Sequence, residues 1–263
     1  MIFDTHIHLN EPRLLEKIDF YLKEAKENGI DKFLCVGWDY ESSKKAVELA
    51  DKYDEIYAAI AIMPTEHKSF NDKNFNKLED LLKISNKIIA IGETGLDYYR
   101  EKETEIKEKQ KDMFIRHIEL ANKYDLPVSI HCRDSIQDTF NILKTHPVNE
   151  KGVMHCYSGS LEMAKEFIKL GYKIAFGGVL TFKNSITTKQ VLTSISIDDV
   201  VLETDAPYLA PMPYRGKLNE PKYIKNIAIF ASHLLNMDLN VFENKIYKNS
   251  LKIFHVERNE DKN

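Results

Sequence analysis

No apolar run in this chain approaches the roughly 18 residues that a membrane-spanning helix needs, which argues against a membrane protein. Nor is a basic region followed by an apolar stretch and a cleavage site found at the amino end, so no secretory signal is expected. Cysteine is scarce. Cys35, Cys132 and Cys156 sit in strand-like segments without paired spacing, which excludes a disulfide scaffold and fits a reducing, cytoplasmic setting. An excess of positive charge is missing too: 37 basic residues face 41 acidic ones, the net charge is −4 and the pI is about 6.2. Such a chain lacks the basic field of a duplex-coating protein. A nuclease survives this test, because metal ions and a few local cations can neutralise phosphates at the active site alone. Repeats, low-complexity tracts and linkers are lacking as well, apart from a polar tail after His255.

What is present is 263 residues, 43% apolar and 30% charged, the composition of an ordinary globular protein. Eight short apolar runs are expected as strands: Ile2 to His8, Lys32 to Gly37, Ile56 to Ile62, Ile88 to Leu96, Val128 to Arg133, Gly152 to Tyr157, Lys173 to Gly178 and Val200 to Asp205. Amphipathic helical stretches alternate with them. After Asn10, the positions Leu14, Leu15, Ile18, Leu22 and Ala25 form one stripe that Gly29 ends. Ser160 is placed to cap a helix that stops at Gly171, a long helix is expected from about Glu103 to Tyr124, and two more follow Pro221 and Asn240. This alternation is the sequence form of a single (β/α)8 TIM-type barrel over residues 1–263, a fold of about 250 residues.

Six metal-ligating side chains end strand-like runs: His6, His8, Glu93, His131, His155 and Asp205. In His6-Ile7-His8 the strand period points both imidazoles to one face. Alone that pattern is weak. The other four residues strengthen it, because barrel strands converge at their carboxyl ends, where catalytic groups gather. Carboxylates buried together there are costly unless a cation neutralises them, so a divalent ion, and a pair of them, is expected. Oxygen and imidazole donors suit Mg²⁺, Mn²⁺ or Zn²⁺ without choosing among them.

The strings DTHIHL, AIGETGLDYYR, LPVSIHCRDS, GVMHCYSGS, GGVLTFKNS, ETDAPYLAP and YRGKLNEP, in this order, resemble the TatD family of metal-dependent deoxyribonucleases in the amidohydrolase-like barrel superfamily. The resemblance implies that His6, His8, Glu93 and Asp205 hold one ion and Glu93, His131 and His155 a second, with Glu93 bridging. It implies two-metal hydrolysis of DNA phosphodiesters, at ends or in single strands. Asp205 and Glu93 are the catalytic candidates, Asp205 as the acceptor of the attacking water's proton. Candidates for substrate contact are Arg133, Arg215, Lys217 and Tyr99; Tyr98, Tyr157 and Tyr208 are further aromatics suited to stacking on bases. For the charged groups a surface salt bridge is the plain alternative, and for the rings simple packing.

The chain departs from the family where AAIAIMPTEHK carries Met63 in place of the usual His; His67, four residues on, is the possible substitute donor. Leu218 stands where relatives often have a basic residue. His117, His146, His233 and His255 fall on helices or their ends and are expected to have no role in the site. Two other classes compete: an amidohydrolase-type enzyme opening a C–N or ester bond of a small metabolite, and a non-catalytic metal-stabilised binding protein. Glu93, where dinuclear amidohydrolases often use a modified Lys, favours the phosphodiester. No obligatory protein partner is evident, and DNA is the expected partner as substrate.

Overall fold

The computed structural model describes residues 1–256, so the polar segment expected after His255 lies, from residue 257 on, outside the described residues. Eight strands form one sheet in sequence order: β1 (Ile2–Ile7), β2 (Ile30–Val36), β3 (Ile56–Ile60), β4 (Ile88–Asp97), β5 (Val128–Arg133), β6 (Gly152–Met154), β7 (Lys173–Phe176) and β8 (Val200–Leu202). Each pairs with the next in parallel. Parallel neighbours need a crossover, and helices supply it on the outside, among them Tyr40–Lys52, the long Thr104–Lys123 and Leu161–Lys169. Ser160 caps the last of these through Met163 N–H, as expected from its position.

Two expectations are corrected. The first helical stripe is two helices, Pro12–Leu15 and Ile18–Glu27, which still bury Leu14, Ile18, Leu22 and Ala25. The strands ending in His155 and Asp205 are shorter than their apolar runs suggest. Cys156 and Asp205 adopt positive φ, 44° and 55°, which turns the chain out of the sheet just after His155 and at Asp205.

The apolar residues divide between two cores. The larger lies between strands and helices. The smaller joins Phe3, Ile89, Val153 and Val201, which come from strands that do not all neighbour one another and can meet only inside a closed barrel; Phe254, just past the final helix Leu239–Ile253, packs into the same cluster. A register shift in β1 between Asp4 and Ile7 adjusts the strand just where the histidines begin.

β8 returns to β1 by a mixed seam. Asp205 N–H donates to His6 O at 2.9 Å and His8 N–H to Ala206 O at 2.8 Å. Below them the fully buried Asp4 carboxyl group accepts Thr204 N–H at 2.9 Å and its hydroxyl at 2.6 Å. Burial pushes the Asp4 carboxyl up to about 8 despite these bonds. The result is the expected (β/α)8 barrel.

Candidate metal centre

The six expected ligands meet at the carboxyl end of this barrel. Glu93, on β4, is their centre: one oxygen lies 2.6 Å from His131 Nδ1 and 3.8 Å from His155 Nε2, the other 3.7 Å from His6 Nε2. Asp205 Oδ1 stands 3.5 Å from His8 Nε2 and 4.0 Å from His155 Nε2. The donor atoms of His6, His8 and Glu93 form one group within 4.8 Å, those of Glu93, His131 and His155 another, and those of His6, His155 and Glu203 a third.

Each imidazole is oriented by a partner on its other nitrogen. His8 Nδ1–H donates to Val36 O at 3.0 Å, since a carbonyl can only accept; in the neutral ring this leaves the Nε2 lone pair on the side of Asp205, although against burial, which lowers the imidazole, Asp205 raises it. His6 Nδ1 meets Ser129 Oγ at 3.1 Å, and its buried Nε2 has no hydrogen-bond partner. His155 Nδ1 lies against Glu203 and His131 Nε2 is 3.0 Å from Asp97 Oδ2, the carboxylate support that ligating histidines usually have. The orphaned nitrogen of His6, aimed at Glu93, is what an imidazole awaiting a cation looks like.

Electrostatics agree with this geometry. Burial opposes charge on His131 and His155, yet Glu93 and Asp97 push the first up to about 9, and Glu203 and Asp205 the second up to about 10. Burial raises the Glu93 carboxyl, but His131, His155 and His6 together hold it well below the usual carboxylate range. His6, buried beside His155, is driven well below the ordinary imidazole value. Negative charge is thus concentrated on Glu93 and positive charge is demanded around it, a demand that a divalent ion meets. The residues fit the metal.

A cavity of about 600 Å³ opens above this cluster. A model of the family described as TatD related DNase matches residues 3–255. The chain belongs to the TatD-related DNase family. A Bacillus subtilis protein named uncharacterized metal-dependent hydrolase YabD is 36% identical over 257 residues, 97% of this chain and 100% of that one. Among solved structures, the Escherichia coli K12 TatD homolog YjjV superposes with a TM-score of 0.92 at 28% identity, covering 97% of this chain and 98% of that one. A TatD family hydrolase from Entamoeba histolytica gives 0.87 at 27% identity, covering 96% and 97%.

Within this TatD barrel the remaining expectations separate. Arg133 lines the cavity, with its guanidinium 4.0 Å over the Tyr99 ring, while Tyr99 itself is 55% exposed and outside the lining. Arg215 and Lys217 are exposed and also outside it; Arg215 lies over Phe182 at 4.4 Å. Tyr157 and Tyr208 line the cavity, whereas Tyr98 is turned to Asp138. Met63 lines it with Thr65 and Glu66, but His67 does not: it is buried, 3.9 Å from Glu101. His117, expected to be idle in the site, is a fully buried strut whose Nε2 accepts Ile62 N–H at 3.1 Å, immediately before Met63. Trp38 and Arg100, which nothing in the sequence marks as site residues, also face the cavity. A position just past a strand end carries no periodic signal by which to find them.

Proposed function

We propose that this protein is a divalent-metal-dependent hydrolase that cleaves DNA phosphodiester bonds, at ends or in single strands, with the whole chain as one hydrolase domain. The observation that carries this reading is the placement of Glu93, whose two oxygens face His6 on one side and His131 and His155 on the other. A carboxylate so shared is suited to bridge two cations, with His6, His8 and Asp205 completing one donor set and His131 and His155 the other.

Divalent ions bound there would polarise a phosphoryl oxygen and ease deprotonation of water. The chain's own residues do the rest. Asp205, its side chain 14% exposed at the cavity edge, is open to an incoming water and accepts its proton at Oδ1 or Oδ2. Val36 O, Glu203 and Asp97 hold the tautomers and ring planes of His8, His155 and His131, so no reorganisation is required during turnover. Arg133 and Arg100, on the cavity wall, supply charge for the non-bridging phosphate oxygens.

The test is hydrolysis of end-labelled single-stranded and duplex DNA by the pure protein with Mg²⁺, Mn²⁺ or Zn²⁺ and with chelator, beside a dihydropyrimidine. Metal-dependent DNA cleavage is expected. Ring opening of the dihydropyrimidine without DNA cleavage would replace the nuclease reading with the amidohydrolase one.

A further inference from the structure

The cavity above the metal centre has walls of two kinds. Arg100 and Arg133 stand on one part, while Trp38, Met63, Tyr208 and Leu209 give another an apolar, aromatic character. Both aromatic rings lie edge-on to the ligand His8: Trp38 at 5.4 Å between centroids and 77° between planes, Tyr208 at 6.0 Å and 73°. Tyr208 is backed by the Arg13 guanidinium at 5.0 Å. Trp38 is fixed through its backbone, its N–H donating to Ser42 Oγ at 2.9 Å and its carbonyl accepting Met63 N–H at 2.9 Å. A flat ring is therefore held about one ring's width from a metal-ligating imidazole, with only its side chain committed to the cavity.

We propose that Trp38 is a stacking platform for an unpaired nucleobase of the substrate, so that the enzyme acts on base-bearing single strands or frayed ends; this inference rests on the nuclease reading. A phosphodiester seated on the His and Glu floor carries a sugar and base on toward the cavity wall. An indole accepts the π-face of any base, which makes the contact tolerant of sequence. The cavity is of small-ligand size, room for a nucleotide rather than for a paired duplex. Met63, whose N–H donates to the Trp38 carbonyl, lines the same cavity, and its apolar thioether adds to the surface available to a base.

Trp38 is the chain's one tryptophan, so tryptophan emission reports this wall directly. In Mg²⁺ buffer, titration with deoxyadenosine monophosphate should quench that emission saturably, while 2-deoxyribose 5-phosphate should not. In kinetics, the protein should prefer an oligonucleotide with a normal terminal nucleotide to one with an abasic terminus by about tenfold or more in KM. Trp38→Ala should abolish that preference with little change in kcat, and Trp38→Phe should retain most of it. Equal quenching by the two monophosphates, no response to the nucleotide, or undiminished base preference in Trp38→Ala overturns the inference. If no oligonucleotide is cut at all, the nuclease reading fails, and the emission titration alone decides for or against base stacking.

Discussion

His155 Nδ1 lies 2.9 Å from Glu203 Oε2, and Oε1 of the same buried carboxylate accepts Cys156 N–H at 2.7 Å. Both Glu203 oxygens are therefore engaged, and one of these bonds fixes which nitrogen of His155 faces Glu93. In Glu203→Gln the amide oxygen would stay with Cys156 N–H, which turns the NH₂ group toward Nδ1. Nδ1 must then lose its proton and Nε2 gain it, the wrong tautomer for a ligand. Metal affinity should fall about 10- to 100-fold with the fold kept, which metal titration beside circular dichroism would show. Unchanged affinity would remove Glu203 from the account of the site.

Asp205→Asn should leave the barrel and some bound metal intact while lowering turnover by roughly 10², the contribution of a general base. Glu93→Gln should act differently, reducing occupancy of both ions, because a neutral amide bridges cations poorly. Metal content measured alongside kcat separates the two effects. Near-native hydrolysis by Asp205→Asn would count against it as the proton acceptor.

Met63→His places a donor on the cavity wall. A charge-assisted hydrogen bond contributes about 1.5 to 3 kcal/mol, so KM for DNA should fall roughly tenfold or more. His67→Ala should leave KM alone, since His67 lies outside the cavity, and should lower Tm by emptying a buried position. A KM effect of His67→Ala on its own would show that the loop after β3 rearranges on binding substrate.

His117 provides the pH prediction. Burial pushes its imidazole down to about 4, and in the neutral form Nδ1–H donates to Met113 O while Nε2 accepts Ile62 N–H. With the folded value below the ordinary 6.5, the stabilisation is complete above about pH 6.5 and is lost as pH falls toward 4, where the unfolded chain binds the extra proton. That difference corresponds to about 3 kcal/mol. His117→Phe, filling the space beside Phe70 and Phe75, should lower Tm at neutral pH and flatten its fall between pH 6.5 and 4. A variant with the wild-type pH slope would exclude His117 as the titrating group.

The candidate ligands were legible because each is a metal-binding residue type at the end of an apolar run, so barrel topology alone brings His6, His131 and Asp205 together. Residues that serve through a partner left no such trace. Glu203 reads as part of the ligand string ETDAP, Ser129 as a small strand residue and His117 as a helix histidine, and only packing shows what each touches. The substrate wall was the least legible. Arg215 and Lys217 share a loop with the site in sequence, yet that loop sets Arg215 over Phe182 and leaves both residues in solvent, while Trp38 arrives from the opposite side of the seam.

That seam also sets a timetable. Asp4 and Thr204, 200 positions apart, pair directly beneath His6 and Asp205, so both ends of the chain are needed to build the cavity floor. At ordinary rates of synthesis, roughly 10 to 40 s separate the emergence of the two ends of the site. The nascent chain spends that interval with the HxH pair made and the donor set still incomplete, so the proposed centre is whole only near the completion of translation. A fragment cut anywhere between β1 and β8 would hold only part of the donor set, with His6 and His8 on one piece and Asp205 on the other.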